Sequence, residues 1–120
     1  MVPCMRILIT GGAGLIGTFL SKNLVERGHE VAVYDAFINY VSPYEHNYFE
    51  YIKERKEWIN EVNVEIIRGD TRNKSETYRS IERFQPDTVI HLAALPIADL
   101  CNEHSEEAVS TILEGTVNVL

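Results

Sequence analysis

Three glycines, Gly11, Gly14 and Gly17, recur at every third residue in the stretch GGAGLIG. A short apolar run precedes them and apolar residues at helical spacing follow, so the pattern predicts a strand, a tight turn and a helix. In that setting the first glycine permits the turn, the second lets the backbone approach a pyrophosphate, and the third lets helix and strand pack closely. N–H groups at the helix start would face the phosphates. The glycines alone also fit a plain strand-to-helix turn.

A second signal, Asp35, ends the second predicted strand, residues 30–35. At this position an acidic side chain accepts hydrogen bonds from the ribose hydroxyls of a dinucleotide, so the two signals together predict dinucleotide binding. A carboxylate binds a ribose 2′-hydroxyl but repels a 2′-phosphate, and residues 36–39 contain no Arg or Lys to offset that repulsion. The sequence therefore predicts that NAD is preferred over NADP.

The elements that position these residues alternate between strands and helices. Four strands are predicted: at residues 7–10, at 30–35, within 63–70 and within 86–94. Four helices are predicted: from residue 15 to a C-cap at Gly28, and at 44–60, 74–84 and 104–120. Such alternation implies right-handed parallel crossovers. We predict an α/β fold with a doubly wound, Rossmann-like parallel sheet in strand order 3-2-1-4. The fourth strand would be an edge without Pro or Lys, so we expect the isolated chain to associate.

Aromatic residues recur along the predicted helix at residues 44–60. Tyr44, Tyr48, Tyr51 and Arg55 share one face of it. That face could form a wall towards a ligand, but we favour packing onto the sheet.

Composition limits the classes of function. The chain has 120 residues, enough for one domain, and its net charge of −7 argues against binding to nucleic acid or to an anionic membrane. Cys4 and Cys101 are too few for a disulfide scaffold, and Cys101 with His104 would supply only two metal ligands, so no metal site is predicted. Neither a signal peptide nor an apolar run of about 20 residues is apparent, so we expect a soluble, cytoplasmic protein.

Four ordered motifs extend over nearly the whole chain: TGGAGLIG with Asp35, GDTR at residues 69–72, HLAA at 91–94 and EGTVNVL at 114–120. In order and spacing they resemble the extended short-chain dehydrogenase/reductase family, and most nearly its NAD-dependent nucleotide-sugar epimerases and dehydratases. The resemblance implies NAD as cofactor and a nucleotide-sugar substrate for the full-length protein, which we expect to be a homo-oligomer.

The resemblance also implies roles for individual residues. Backbone around residues 13–16 would hold the pyrophosphate, and Asp35 the ribose. Asp70 would accept a hydrogen bond from the adenine amino group, with Thr71 beside the ring, although Asp70 also fits a turn or capping aspartate. Residues 92–94 would line the path to the nicotinamide. The predicted cofactor-binding residues are Gly11, Ala13, Gly14, Leu15, Ile16, Gly17, Asp35, Ala36, Asp70, Thr71, Leu92, Ala93, Ala94 and Thr111.

This chain departs from the family pattern at several positions. Ala36 replaces a frequent Asn, which would remove one adenosine contact, and Thr71 replaces an aliphatic residue. Thr111 and Glu114 also stand where relatives often carry Asn; Thr111 can still donate a hydrogen bond, whereas Glu114 is expected to point away from phosphates. We interpret His91 as a buried strand histidine that orders the next loop, in preference to a catalytic role.

The chemistry of this family depends on a Ser or Thr and a Tyr-x-x-x-Lys pair, in which the phenolate acts as base. None of the six tyrosines has Lys four residues later, and the nearest pair is Tyr51 with Arg55. No catalytic residue is predicted. Residues 1–120 are interpreted as a truncated, inactive NAD-binding half-domain whose catalytic strand and helix and substrate domain are absent. The alternatives are an NAD(P)-dependent reductase or dehydrogenase of the same fold, and a nonenzymatic dinucleotide-binding module.

Overall fold

The computed structural model describes residues 2–38 and 48–120, with the backbone alone at residues 48 and 49. Its strands are β1 (Arg6–Thr10), β2 (Glu30–Asp35), β3 (Val64–Arg68) and β4 (Thr88–His91). Its helices are α1 (Leu15–Glu26), α2 (Tyr48–Glu61), α3 (Lys74–Phe84), α4 (Ala98–Glu103), α5 (Ser105–Val109) and α6 (Gly115–Val119), and a π-helical segment, Ser110–Glu114, joins α5 to α6.

All pairings in the sheet are parallel, and the strand order is β3-β2-β1-β4. This confirms the predicted doubly wound α/β fold and its 3-2-1-4 order. Thr10 of β1 stands opposite Tyr34 of β2 and opposite His91 of β4. The carboxyl ends of these three strands are therefore level, so the loops that follow them meet at one edge, where open α/β sheets bind ligands.

The core lies on both faces of the sheet, as expected for parallel strands. One cluster contains Leu8, Ala32, Tyr34, Ile67 and Phe84, with Ile81 of α3 packed against it. The other contains Ile7, Ile9 and Val31, with Leu20 and Leu24 of α1 packed against it. Alternate residues of β1 thus enter opposite clusters, and α3 and α1 cover the two faces.

Helix α2 packs mainly against α1 in the described part of the chain. Trp58 contacts Phe19 edge to face, with ring centroids 5.0 Å apart. Trp58 is not one of the residues of the predicted aromatic face; of those residues, Tyr51 does not pack onto the sheet, so the prediction is wrong at this position. Tyr51 is exposed, whereas Tyr44 and the side chain of Tyr48 lie outside the described residues.

The last predicted helix, residues 104–120, is confirmed as a continuous run from Ser105 to Val119. Its middle is π-helical, which the sequence did not predict. The short helix α4 before it was not predicted either. No helix within residues 2–38 and 48–120 combines the length and the apolar character needed to cross a membrane.

Candidate functional site

A cleft of about 620 Å³ opens at the carboxyl edge of the sheet, above the ends of β1, β2 and β4. All fourteen residues that the sequence analysis singled out line it. The fold therefore brings together segments that are up to 100 positions apart, from Gly11 to Thr111. Further lining residues, not predicted, include Phe37, Ile52, Arg55, Lys56, Ile59, Arg72, Pro96 and Ile97.

The glycine turn is tightly packed. Gly11 has a φ of +65°, and a Cβ there would lie 2.8 Å from the backbone N of Ala93, so the loop after β4 sits directly on this glycine. A Cβ at Gly17 would lie 2.4 Å from Cα of Gly12. The third glycine thus permits α1 to pack against the turn itself, whereas the sequence analysis had expected contact with the strand.

The start of α1 is open towards the cleft. Gly14 is the N-cap and provides no side-chain cap, and the first turn carries no acidic residue. The first helical hydrogen bond runs from the N–H of Thr18 to the carbonyl oxygen of Gly14. The N–H groups of Leu15 and Ile16 precede that bond, so together with the positive end of the helix dipole they can bind an anion.

Asp35 is held at both carboxylate oxygens. Its Oδ2 accepts a hydrogen bond from the N–H of Ala13 at 3.0 Å, and its Oδ1 accepts one from the N–H of Phe37 at 2.8 Å. Phe37 reaches this position with a φ of 56°, a left-handed conformation that costs a bulky residue about 1–3 kcal/mol. The lone pairs that remain on the carboxylate can accept hydrogen bonds from two hydroxyls.

Positive side chains surround Phe37 next to Asp35. The Lys56 ammonium and the Arg68 guanidinium each lie 5.8 Å from the Phe37 ring centroid. Residues 36–39, which follow Asp35 in the sequence, contain no Arg or Lys; these two charges come instead from α2 and β3. One signal could have revealed Arg68, because it stands opposite Asp35 in the β2–β3 register.

Asp70 forms a turn and an ion pair with Arg72. Its Oδ1 accepts a hydrogen bond from the backbone N–H of Arg72 at 2.9 Å, and Nη2 of Arg72 lies 2.5 Å from its Oδ2. The Arg72 side chain is the main reason that the pKa of Asp70 is lowered. Arg72 also lies 3.6 Å from Glu107 of α5. This geometry is that of the turn aspartate, which the sequence left open as the alternative to adenine binding.

The last helix closes the cleft over Thr71. A Cβ at Gly115 would lie 2.8 Å from Oγ1 of Thr71, so α6 approaches this loop closely. Asn118 Nδ2 donates to the carbonyl oxygen of Thr71 at 2.8 Å. Glu114 is exposed and does not line the cleft, as expected from the charge of a phosphate ligand.

Thr111 supplies an observation that favours a bound ligand. Among the described residues its Oγ1 is buried and has no hydrogen-bond partner, although Thr111 lines the cleft. A buried hydroxyl without a partner is costly, so a ligand that accepts its hydrogen bond would remove the cost.

His91 lies outside the cleft lining and connects β4 to its surroundings. Nδ1 lies 2.6 Å from Oγ1 of Thr10, and the same oxygen accepts hydrogen bonds from the N–H groups of Leu92 and Ala93. Burial lowers the pKa of His91. His91 is half-buried and reaches the loop that follows β4 only through Thr10, so its role in ordering that loop stays a prediction.

Residues 8–120 match the family model described as GDP-mannose 4,6 dehydratase. The chain is 36% identical over 115 residues to UDP-N-acetyl-alpha-D-glucosaminuronate decarboxylase of Bacillus cytotoxicus, covering 96% of this chain and 32% of that protein. It is 32% identical over 121 residues to bifunctional UDP-glucose 4-epimerase and UDP-xylose 4-epimerase 1 of Pisum sativum, covering 95% of this chain and 31% of that protein.

The fold is similar to that of the UDP-glucose 4-epimerase of Thermus thermophilus, solved in complex with NAD. The TM-score is 0.77 at 30% sequence identity, and the match covers 96% of this chain and 32% of that one. This chain thus spans about a third of the length of these relatives. Because the family model matches nearly the whole chain, this protein belongs to the GDP-mannose 4,6 dehydratase family, and its resemblance to the extended short-chain dehydrogenases/reductases is confirmed.

Proposed function

We propose that this chain binds NAD in the cleft and is the cofactor-binding part of an NAD-dependent nucleotide-sugar epimerase or dehydratase. The observation that carries the proposal is the position of Asp35. Its carboxylate is bonded to Ala13 of the glycine turn, beside the uncapped start of α1. Binding groups for a ribose and for a pyrophosphate therefore stand side by side, in the arrangement that a dinucleotide requires.

The cleft residues then bind successive parts of the cofactor. Backbone N–H groups at residues 13–16 and the start of α1 hold the pyrophosphate, and Asp35 accepts hydrogen bonds from the adenosine ribose. Ala36 and Thr71 border the adenosine end. Residues 92–94 pack on Gly11 and line the nicotinamide end. The Thr111 hydroxyl, which has no partner within residues 2–38 and 48–120, donates to the ligand.

Asp70 is proposed to bind the adenine amino group. Its carboxylate is already hydrogen-bonded to Arg72, which limits the acceptor positions left for adenine. Three donor groups of Arg72 already approach its two oxygens, out of about four acceptor positions on a carboxylate. Adenine would therefore share Asp70 with Arg72, whose guanidinium lies in the same wall of the cleft.

For the full-length protein we propose a nucleotide-sugar substrate and a homo-oligomer located in the cytoplasm. Bound NAD would take up a hydride from a sugar carbon and return it, which makes oxidation transient and the net reaction an isomerisation or an elimination. The domain assignment, residues 1–120 as an NAD-binding half-domain, follows from the same interpretation.

A second candidate is a dinucleotide-binding module without enzymatic activity. These 120 residues contain no Tyr-x-x-x-Lys pair, and because the chain spans about a third of the length of its relatives, that absence fits both candidates. The residues encoded after Leu120 decide between the two, because a Tyr-x-x-x-Lys sequence there supports the enzyme. For such an enzyme, product analysis with candidate nucleotide sugars separates an epimerase or dehydratase from a simple NAD(P)-dependent reductase.

Calorimetric titration of the chain with NAD tests the proposal directly. We expect saturable binding at one site, weakened by Asp35→Ala and unchanged by Glu82→Ala, which removes an acidic side chain of α3 outside the cleft. Absence of binding, or equal binding by the Asp35→Ala variant, would refute the proposed site.

A further inference from the structure

His91 connects the two walls of the cleft at its nicotinamide end. On one side, its Nδ1 lies 2.6 Å from Oγ1 of Thr10. On the other, its Nε2 lies 3.2 Å from Oγ1 of Thr116. Thr10 ends β1 and supports the loop after β4, whereas Thr116 belongs to α6, directly after the π-helical segment. One imidazole ring thus joins the end of β1 to the start of α6.

The donors in this network can be assigned from chemistry. Backbone N–H groups only donate, so Oγ1 of Thr10 accepts from Ala93 at 3.3 Å and, at 3.2 Å, from Leu92, whose N–H also donates to the Thr10 carbonyl oxygen at 3.0 Å. The Thr116 hydroxyl donates its one proton to the carbonyl oxygen of Ile112, so towards His91 it accepts. The ring proton is therefore on Nε2 and is donated to Thr116. In the neutral ring Nδ1 then accepts from the Thr10 hydroxyl.

The network continues in the same direction into the last helix. The hydroxyl of Thr116 donates to the carbonyl oxygen of Ile112, which lies inside the π-helical segment. That segment also carries Thr111, whose hydroxyl lines the cleft without a partner among the described residues. π-Helical insertions are frequent at functional sites, and here the insertion occurs where the His91 network ends.

We propose that His91 is a positioning residue for the nicotinamide half of the cofactor: as a neutral imidazole protonated on Nε2, it ties residues 92–94 to the π-helical segment that presents Thr111. This inference rests on the proposed function, because it assumes that a dinucleotide occupies the cleft. It assigns no contact between His91 and the ligand. Loss of the His91 imidazole would loosen residues 92–94 and the π-helical segment at the nicotinamide end of the cleft, and would leave the Asp35 end unchanged.

The tautomer is the first test, and it needs no ligand. Ring ¹⁵N chemical shifts of His91 in the chain at neutral pH should show a protonated Nε2 and an unprotonated Nδ1. A proton on Nδ1, or on both nitrogens, would overturn the inference and leave the proposed NAD site untouched.

The second test compares two ligands. NAD spans the whole cleft, whereas ADP occupies only the adenosine and pyrophosphate portion. Thr116→Val removes the hydroxyl that accepts from His91, and we expect about fivefold weaker NAD binding with ADP binding unchanged, while Thr116→Ser keeps the affinity of the unaltered chain. His91→Leu should weaken NAD about tenfold, again without effect on ADP.

Three other results of these titrations would contradict either the positioning role of His91 or the proposed function. Equal losses for NAD and ADP would indicate general destabilisation and overturn the positioning role. Unchanged NAD binding by a folded Thr116→Val variant would overturn it as well. Failure of the unaltered chain to bind NAD would refute the proposed function, and the cofactor role of His91 with it, whichever tautomer is found.

Discussion

The Oδ2 atom of Asp35 and the backbone nitrogen of Ala13 are 3.0 Å apart, and this hydrogen bond joins the end of β2 to the glycine turn. Phe37 holds the other oxygen through its own N–H. The acidic residue expected to bind ribose therefore also fixes the turn expected to bind the pyrophosphate. Changing Asp35 should affect both parts of the site.

Asp35→Ala should lower NAD affinity by about 10- to 100-fold, because hydrogen bonds to a charged group contribute about 1.5–3 kcal/mol. NADP affinity should fall less or rise, because the carboxylate no longer repels the 2′-phosphate while Lys56 and Arg68 remain nearby. Titration of both cofactors measures the change. In the Asp35→Ala background, Lys56→Ala should weaken NADP alone. Equal losses for the two cofactors on Asp35→Ala would contradict this assignment.

Two glycines of the turn should respond differently to Ala. At Gly17 the added Cβ would lie 2.4 Å from backbone, so Gly17→Ala should destabilise the fold by about 1–3 kcal/mol. At Gly14 the nearest atom is 3.3 Å away, so Gly14→Ala should remain folded but lose NAD affinity, because its Cβ intrudes where the pyrophosphate approaches. Urea denaturation and NAD titration separate the two effects, and a stable, NAD-binding Gly17→Ala variant would be inconsistent with the packing.

The ion pair of Asp70 with Arg72 should make stability depend on pH at the acid side. The pKa of Asp70 is lowered, chiefly by hydrogen bonding to Arg72, so ionised Asp70 stabilises the folded state. That contribution is complete above the pKa of an unfolded Asp, about 3.9, and is lost as the pH falls through the lower folded value. Asp70→Asn should therefore make the free energy of unfolding decline less steeply below about pH 4. Arg79→Gln, which changes a residue of α3, is the control and should leave that decline unchanged. Parallel denaturation curves for the unaltered chain and Asp70→Asn would contradict this.

The 120-residue chain should leave nucleotide sugars unchanged, even with NAD bound. It contains no Tyr-x-x-x-Lys pair, and a general acid or base typically contributes about 10²- to 10⁴-fold to the rate. Arg55 donates to the main-chain oxygen of Tyr51, at 3.3 Å, which is an ordinary helix contact. Incubation with NAD and a panel of nucleotide sugars provides the measurement. Turnover that survives stringent purification and disappears with Tyr51→Phe would show that these 120 residues contain an active site that includes Tyr51.

The isolated chain should associate in solution. β4 is the edge of the described sheet, and Val109, Leu113 and Val117 form an exposed apolar stripe along the last helix. Sedimentation over a range of concentrations should show reversible growth in mass, reduced by Leu113→Glu with Val117→Glu. Tyr78→Glu, which replaces an exposed aromatic residue of α3, serves as the control.

A monomer at every concentration would contradict the association, most clearly if the amides of Val89 and Ile90 were also protected from hydrogen exchange. That combination would mean that another part of the chain covers the β4 edge.

Local signals in the sequence were sufficient to predict most of the strands and helices. The predicted bounds of β2, residues 30–35, and of α3, residues 74–84, agree with the structure. These elements consist of continuous apolar runs or have residues that begin or end them within a few positions of each boundary. Asn73, for instance, caps α3 by accepting a hydrogen bond from the N–H of Glu76. The glycine turn is equally local, because its backbone geometry depends on residues that are adjacent in the chain.

Contacts between distant segments decided the rest. The π-helical segment, Ser110–Glu114, is followed directly by Gly115, which packs on Thr71, and by Thr116, which is bonded to His91, and both partners come from other parts of the chain. Lys56 and Arg68 come together beside Phe37, two residues after Asp35, only when α2 and β3 assemble around that ring. The sequence by itself determined the glycine turn and the position of Asp35, because these follow from periodicity and backbone geometry, whereas the strand order was expected from the doubly wound fold and the other residues of the cleft from the family resemblance. Only the tertiary structure decided the cations beside Phe37 and the hydrogen bonds of His91, because each depends on distances between side chains of separate elements.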